Sequence, residues 1–303
     1  MAEFILHHYD TSPFSEKPRV MFGLKGLAWR SVIQPSIMPK PDLTPLTGGY
    51  RRAPVMQIGA DIYCDSQVIL AEIARRADDE EQVAAGGAWA VNLWADRLFF
   101  AATVPVIFGE LGDKVPQAFI DDREKLSGRP FDMAAMKAAA GVMRAQWRAQ
   151  AAWIDSALAE TDFLAGERPG LADISAYMNI WWLGGALPAV ADQLMTGLDL
   201  LQAWRGRIAA IGHGERLEMS TTEALVVARV NEPERYADHD SADPSGLSPG
   251  AKVNVSADDY GRDPIAGTLV AINPRRVVIS REDPDVGRLQ VHFPRAGYVV
   301  AAA

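Results

Sequence analysis

Cysteine and basic charge are both scarce in this 303-residue sequence. Cys64 is the one cysteine, which excludes an intramolecular disulfide and fits a reducing, cytoplasmic location. The 30 basic residues are outnumbered by 39 acidic ones, and the net charge of −9 argues against nucleic acid or an anionic membrane surface as the main partner. A local site for a small anion is still compatible with this charge.

Long apolar runs are absent as well. No run approaches about 18 uninterrupted apolar residues, so we predict no membrane span. The opening segment MAEFILHHYD has no basic stretch followed by a long apolar core, so we expect no signal peptide. The histidines show no metal-ligand spacing, and no metal site is predicted.

The hydrophobic content of 49% is that of a folded protein, and the length suits two or three domains. Strand and helix patterns follow one another in the order β-α-β, loop, β-β-α. This order predicts a thioredoxin-like α/β domain over residues 1–80. We expect its strands at 4–6, 29–33, 54–58 and 61–64, and its helices at 18–26 and 65–76.

Strand patterns disappear beyond the charged stretch 78–81, which we interpret as a linker. An all-helical bundle domain is predicted over 85–228, and a polar segment rich in Pro, Asp and Ser predicts a second linker at 229–247. Five short β-type runs then predict a small all-β, SH3-like module over 248–303. Within the bundle, apolar periodicity predicts helices at 87–108, 133–160, 172–187 and 198–211.

Four short motifs link the first two domains to a known family. In their order and spacing they resemble the glutathione transferase superfamily, in its serine-type bacterial form, over roughly residues 4–225. The motifs are Ser12-Pro13-Phe14-Ser15-Glu16-Lys17, Arg51-Arg52-Ala53-Pro54-Val55, Asp65-Ser66 and Gly170-Leu171-Ala172-Asp173-Ile174.

The resemblance implies that Ser12 stabilises the glutathione thiolate. A free thiol has a pKa of about 8.5, and a hydroxyl donor beside a helix N-terminus favours the anion. Pro18 departs from the family pattern, because its ring would clash with the carbonyl of Phe14 in a continuous helix. A helix that begins nearer Ser15, or is kinked, makes Ser15 a second catalytic candidate, with Tyr9 a third. The alternative for Ser12 is an ordinary helix cap.

The resemblance also places the γ-glutamyl group of glutathione at Asp65 and Ser66. The amides of a helix N-terminus, the Ser66 hydroxyl and the Asp65 carboxylate would together hold its carboxylate and ammonium. The alternative is that this pair is a plain helix N-cap, and both roles are compatible.

The segment before the third strand is the other implied glutathione contact. A cis peptide bond before Pro54 would expose the backbone of Ala53 for strand-like pairing with the tripeptide. Arg52 would meet the glycine carboxylate, with Lys40 a weaker candidate. A solvated loop arginine is the alternative for Arg52.

The first predicted bundle helix carries a polar stripe of Asn92, Asp96 and Thr103. The resemblance implies that Asp96, with Arg97 and Phe100 beside it, lines the cleft for a second substrate. The alternative is that the stripe faces solvent.

The resemblance therefore implies an enzyme that uses glutathione as a co-substrate, without a metal, to attack a small electrophile, and that forms a homodimer. Conjugation is the default reaction, and isomerisation or dehalogenation would use the same sulfur. Cys64, inside an apolar strand, is expected to be a buried, inert thiol. The alternative function is a non-catalytic glutathione-binding or scaffold protein, since folds are reused without activity. Tyr260–Pro264 is interpreted as a turn without a ligand.

Overall fold

The computed structural model describes residues 3–79 and 87–303. The expected domain boundary between residues 80 and 85, and the first two residues, lie outside the described residues. The strands are β1 Phe4–His8, β2 Ala28–Ile33, β3 Val55–Ile58, β4 Asp61–Cys64, β5 Glu215–Glu218, β6 Lys252–Ala257, β7 Ile265–Ile272, β8 Arg276–Asp283, β9 Gly287–Pro294 and β10 Tyr298–Ala302.

Helices account for most of the remaining described chain. A π-helical segment, Ala95–Phe99, joins the fourth helix to the fifth. The α-helices are α1 Pro13–Leu24, α2 Thr44–Thr47, α3 Ser66–Arg76, α4 Ala88–Trp94, α5 Phe100–Leu111, α6 Gln117–Ser127, α7 Met133–Ala157, α8 Leu171–Ala186, α9 Pro188–Leu194, α10 Asp199–Ile211 and α11 Thr221–Val230.

Helix α1 begins earlier than predicted. Its first residue is Pro13, and Ser12 caps it, because Ser12 Oγ accepts a hydrogen bond from the Ser15 amide at 3.2 Å. Proline suits the first helical position, where an N–H would have no helical partner. The expected start nearer Ser15 is therefore wrong, and the helix runs on through Pro18 without a donor for the Phe14 carbonyl.

The helical domain contains each predicted helix within a few residues, together with helices that were not predicted. Apolar periodicity located α7 because Trp147 and Ile154 face the core, with exposures of 0% and 2%. Helix α6 escaped prediction because its only buried side chain is a carboxylate, Asp122. Helix α11 buries two alanines, Ala224 and Ala228, whose small side chains give a weak periodic signal.

One helical stretch, Ala88–Lys114, is long and apolar enough to cross a membrane by length and composition alone. The core helix of a soluble protein meets the same criterion. Phe99 and Val106 of this stretch are fully buried in one cluster with Trp147 of α7. The stretch therefore forms the centre of the helical domain.

The C-terminal module, residues 252–302, has the strand order β10-β6-β7-β8-β9, in which the last strand returns beside the first. It does not stand apart from the thioredoxin-like domain. Strand β9 pairs in parallel with β4, with Val291 opposite Ile62, so ten strands of the described residues form one sheet in the order β10-β6-β7-β8-β9-β4-β3-β1-β2-β5.

Most buried apolar side chains of the described residues belong to two large clusters. One buried cluster joins α1 and α3 to the helical domain, with Trp147 and Trp204 among its largest members. A second joins the thioredoxin-like domain to the C-terminal module, where Val55 and Ile62 share a cluster with Val291 and Phe293. The module therefore packs into a common core.

Candidate functional site

The junction between β1 and α1 places the three predicted thiolate-stabilising hydroxyls at one helix N-terminus. Ser12 is 1% exposed, and its oxygen is used as the helix cap. Ser15 is fully buried, and its Oγ has no hydrogen-bond partner among the described residues. Tyr9, at the end of β1, is half-buried and lines a large cavity described below.

The predicted glutathione-binding residues meet around a second, smaller cavity. The Ala53–Pro54 peptide bond is cis, as expected from the sequence. Asp65 is the N-cap of α3: its Oδ1 accepts a hydrogen bond from the Gln67 amide at 2.9 Å. Its backbone has φ +93°, a conformation that is rare outside glycine and clusters at functional sites.

This small cavity has a volume of about 60 Å³, and all three parts of the chain line it. Arg52, Ala53, Pro54, Asp65 and Ser66 all face it, together with Phe14, Tyr50 and Gln67 from the same domain. The helical domain adds Leu93, Asp96 and Arg97, and the C-terminal module adds Asp259, Tyr260, Ala296, Gly297 and Tyr298. Neither Ser12 nor Ser15 lines it.

The C-terminal module engages two of the predicted ligand-binding groups. The Arg52 guanidinium forms an ion pair with Asp259 and lies 4.0 Å from the centre of the Tyr260 ring. The Tyr298 hydroxyl donates to Asp65 Oδ2 at 3.1 Å. Burial, and next the Asp65 charge, raise the pKa of Tyr298, so this phenol keeps its proton and acts as a donor.

The loop between β6 and β7, residues 258–264, lies close against Arg52 and α6. Gly261 has φ +58°, and its amide donates to the Leu126 carbonyl at 2.7 Å. A Cβ on Gly261 would lie 2.9 Å from Leu126 Cδ1 and 3.1 Å from Arg52 Nε. Only glycine therefore fits this position without displacement of its neighbours.

The polar stripe of the first bundle helix does not face solvent. Asn92 is fully buried and accepts hydrogen bonds from Lys17 Nζ at 2.7 Å and from Ser175 Oγ at 2.9 Å. Lys17 Nζ also lies 2.7 Å from Asp96 Oδ1, in a salt bridge between α1 and the π-helical segment. Thr103 is buried as well, and donates to Asn179. The solvent-facing alternative is wrong, and Asn92 and Asp96 join the helical domain to α1 through Lys17.

Asp96 is the member of this stripe that reaches the small cavity, with 16% of its side chain exposed. Burial raises its pKa, although Lys17 opposes the shift. Its neighbour Arg97 forms an ion pair with Asp258 at 2.5 Å on the rim of the cavity. The predicted second-substrate residues Asp96 and Arg97 thus line the same cavity as the predicted glutathione-binding residues.

A large cavity of about 230 Å³ adjoins the small one, and Phe14, Arg52, Ala53 and Tyr260 line both. Phe100, the remaining predicted second-substrate residue, lies here and stacks on Trp182 at 5.4 Å. Eight aromatic side chains line this cavity: Tyr9, Phe14, Phe100, Phe108, Phe119, Phe131, Trp182 and Tyr260. Its walls suit an apolar, aromatic molecule.

Cys64 lines neither of the two cavities. Cys64 is fully buried, and burial raises its pKa, as expected for an inert thiol. Over residues 3–79 and 87–303, no group of three or more His, Cys, Asp or Glu side chains is arranged to hold a metal ion.

Sequence comparison agrees with this architecture. Residues 6–81 match the family model of the glutathione S-transferase N-terminal domain, and residues 117–207 match that of the C-terminal domain. The full chain is similar to a GST-like protein from Pseudomonas syringae, with 33% identity over 100% of both chains and a TM-score of 0.78. The chain belongs to the glutathione S-transferase superfamily. Its thioredoxin-like and helical domains are those of the family.

More distant solved structures share the fold of this glutathione S-transferase family member. Poplar glutathione transferase F1 is 13% identical, covers 69% of this chain and 93% of its own, and has a TM-score of 0.53. A glutathione S-transferase from Rhodospirillum rubrum F11 is 17% identical, covers 68% and 88%, and has a TM-score of 0.53. No curated protein matches the chain.

The sequence analysis did not predict that the C-terminal module lines the small cavity. The Tyr260–Pro264 turn was recognised, but not its place against Arg52. The contact of Tyr298 with Asp65 gave no local signal, since 233 residues separate the two along the chain. A hint was present in the aspartate pair Asp258-Asp259, whose acidic charge suits the basic residues of the site.

Proposed function

We propose that this protein is a glutathione-dependent transferase that activates the thiol of glutathione for attack on a small electrophile. The observation that carries the proposal is a polar cavity at the N-terminus of α3 that opens beside a large aromatic cavity. The first is lined by charged groups that could bind the charged ends of a tripeptide, and the walls of the second suit an apolar substrate. Conjugation is the proposed reaction.

Ser12 is the proposed stabiliser of the thiolate. Its oxygen accepts the Ser15 amide, which leaves the hydroxyl proton free to donate to sulfur. The N-terminus of α1 adds a favourable field for an anion. Ser15 and Tyr9 are the alternatives, Ser15 because its buried Oγ has no partner among the described residues and Tyr9 because it lines the large cavity.

The γ-glutamyl group is proposed to bind at Asp65 and Ser66, and the backbone of Ala53 to pair with the cysteinyl residue. The strained conformation of Asp65 supports this role, because strain of about 1–3 kcal/mol is retained mostly where it serves function. Arg52 is proposed for the glycine carboxylate. Its Nε has no partner among the described residues, so a donor is left although Asp259 occupies the guanidinium.

A non-catalytic, glutathione-binding or scaffold protein is the second candidate function. It is favoured by the contacts that already occupy the site: Asp259 on Arg52 and Tyr298 on Asp65. Both contacts compete with a bound tripeptide. The burial of Ser12 and Ser15 away from both cavities points the same way.

Retention on immobilised glutathione, followed by titration of the bound thiol, separates the two functions. If the protein is an enzyme, immobilised glutathione should retain it. The thiol of the bound glutathione should then have a pKa below that of the free thiol, because Ser12 and α1 favour the anion. Retention with an unchanged thiol pKa would establish the binding protein. No retention at all would contradict the enzyme and the glutathione-binding protein, and would leave only the scaffold.

A homodimer and a cytoplasmic location complete the proposal. Both rest on membership of the family, whose members are typically soluble and dimeric. Sedimentation equilibrium of the purified chain tests the dimer, which a monomer mass of 32.9 kDa across the concentration range would contradict.

A further inference from the structure

Asp65 is a half-buried carboxylate on the wall of the small cavity, and no cation of the described residues lies within ion-pair distance of it. The other two carboxylates that line this cavity are already paired. Asp96 lies 2.7 Å from Lys17 Nζ, and Asp259 forms its ion pair with Arg52. A partly buried charge without a counter-charge is costly unless other groups stabilise it. Asp65 is therefore the carboxylate that the cavity offers to a cationic group of a ligand.

Neutral donors hold both oxygens of the Asp65 carboxylate. Oδ1 accepts the Gln67 amide at 2.9 Å, and Oδ2 accepts the Tyr298 hydroxyl at 3.1 Å. A carboxylate has about four lone-pair sites, so about two are left for a ligand. The φ of +93° at Asp65 is a conformation that persists only where the surroundings determine it. Tyr298, from the C-terminal module, belongs to those surroundings.

Tyr298 is itself fixed in position. It is 7% exposed, and β10 places it opposite Ala257 of β6. Its ring centre lies 5.5 Å from that of Phe293, and its hydroxyl lies 3.2 Å from the Tyr50 hydroxyl. Because a carboxylate only accepts and a hydroxyl has one proton, Tyr298 donates to Asp65 and Tyr50 donates to Tyr298. Burial, and next the Asp65 charge, raise the pKa of both phenols, so both keep their protons.

We infer that Tyr298 is a positioning residue, whose hydroxyl sets the Asp65 carboxylate for the α-ammonium group of the ligand. The inference rests on the proposed binding of the γ-glutamyl group at Asp65 and Ser66, and it adds a residue of the C-terminal module to that site. Tyr50 supports the arrangement from behind Tyr298. The module thus takes part in ligand recognition as well as in the fold.

The test compares glutathione with deaminated glutathione, in which a hydrogen replaces the α-amino group. Calorimetry gives the affinity for each peptide, and the ratio of the two affinities isolates recognition of the ammonium. We expect Tyr298→Phe, which keeps the ring and removes the hydroxyl, to lower this ratio by about fivefold to tenfold, because a hydrogen bond that orients a charged group is lost. Tyr236→Phe is the matched control. It removes a hydroxyl that accepts from Asn273 outside both cavities, and should leave the ratio unchanged.

A second variant shows whether Tyr298 acts through Asp65. Asp65→Asn removes the charge and keeps a residue that suits both a helix N-cap and a positive φ, so it should itself lower the ratio. Tyr298→Phe added to Asp65→Asn should change the ratio no further, because both substitutions act on one interaction. A full additional fall in the double variant would contradict the positioning role.

Tyr50→Phe removes the hydroxyl behind Tyr298 and should lower the ratio by a smaller factor. Chemical denaturation checks that each variant is folded, and Tyr50→Phe decides the matter if Tyr298→Phe does not fold. An unchanged ratio, with both peptides weakened equally, would show that Tyr298 only supports the fold and would overturn the inference. Tighter binding of glutathione in Tyr298→Phe would overturn it too, because Tyr298 would then compete with the ligand.

The proposed transferase and the role of Tyr298 can fail separately. If the ratio depends on Tyr298 and the thiol pKa of bound glutathione is unchanged, the inference stands and the enzyme is contradicted. If the thiol pKa falls and the ratio ignores Tyr298, the enzyme stands and the inference is overturned. If the unmodified protein binds neither peptide, both are overturned.

Discussion

Capping and catalysis make different demands on the hydroxyl of Ser12. As a cap, the oxygen accepts a hydrogen bond from the Ser15 amide. As a thiolate stabiliser, the same group must donate its proton to sulfur. One hydroxyl can do both, since a hydroxyl has one proton and two lone pairs.

Substitution Ser12→Ala should therefore have two separate effects. The pKa of glutathione's bound thiol should rise by about one unit, as a hydrogen bond to the anion is lost. The free energy of unfolding should fall by about 1 kcal/mol through loss of the cap. The absorbance of the thiolate as a function of pH measures the change in the thiol pKa. Chemical denaturation measures the change in the free energy of unfolding. Ser15→Ala is the matched control. If the thiol pKa rises in Ser15→Ala and not in Ser12→Ala, Ser15 is the residue that stabilises the thiolate.

Asp259 competes with a bound ligand for Arg52. Asp259→Asn keeps the side-chain shape and its hydrogen bond from the Tyr260 amide, and removes the charge that occupies the guanidinium. We expect glutathione to bind about tenfold more tightly, because Arg52 becomes free for a carboxylate. Equilibrium dialysis measures the change. Asp258→Asn, which breaks an ion pair at the rim, is the control, and weaker binding in Asp259→Asn would contradict the proposed role of Arg52.

At the scale of single residues, the sequence predicted the part of the candidate site that short local motifs determine. The residues Arg52 to Pro54 and the pair Asp65-Ser66 line one cavity because a strand start and a helix start carry them there. The other half comes from residues such as Tyr298, whose position depends on how β10 returns beside β6. No local pattern encodes that contact.

Strand β1 buries two histidines in the middle of the sheet. Burial lowers the pKa of His7 to about 4, with a smaller opposing effect from its hydrogen bond to Gln57. Burial, and next Arg19, also lower the pKa of His8, to about 3. Both imidazoles are therefore neutral in the folded protein at pH 5, where an unfolded chain would protonate them.

The stability of the fold should consequently decline in acid. Between pH 6.5 and about 4 the unfolded state binds a proton that folded His7 does not, so the free energy of unfolding should fall by about 3 kcal/mol from His7 alone. Chemical denaturation at a series of pH values measures the slope. His7→Gln should reduce it, whereas His239→Gln, at a half-buried histidine near the C-terminal module, should not. An equal slope in all three proteins would rule out His7 as its source.

Elements with a strong apolar period were predictable, and those held by tertiary contacts were not. Strand β4 matches its predicted bounds, β3 begins one residue later than predicted, and α3 begins at its predicted cap. Strand β5 was missed because its four residues are all exposed and it exists through pairing with β2. The π-helical segment was missed because its pattern differs little from that of the α-helices on either side.

At the scale of the whole molecule, the shared sheet and core make the C-terminal module part of one folding unit. A chain that ends at residue 247 should be poorly soluble and should bind hydrophobic dyes, because Val55 and Ile62 lose their buried partners and β4 loses β9. Co-expression of residues 1–247 and 248–303 as two pieces should restore a soluble complex. A soluble truncated chain without dye binding would show that the module is independent.

The two edge strands of the ten-stranded sheet, β10 and β5, differ in how well they are protected against pairing with a strand of another chain. Strand β5 presents Glu-Arg-Leu-Glu, whose charges discourage another strand from adding there. Strand β10 has no charged residue, and Val299 is 52% exposed. Heat-induced aggregation should therefore start at β10, and Val299→Lys should slow it in light-scattering measurements. Val226→Lys, at a valine of α11 that is 48% exposed, should have little effect, so equal slowing by both would point to net charge instead.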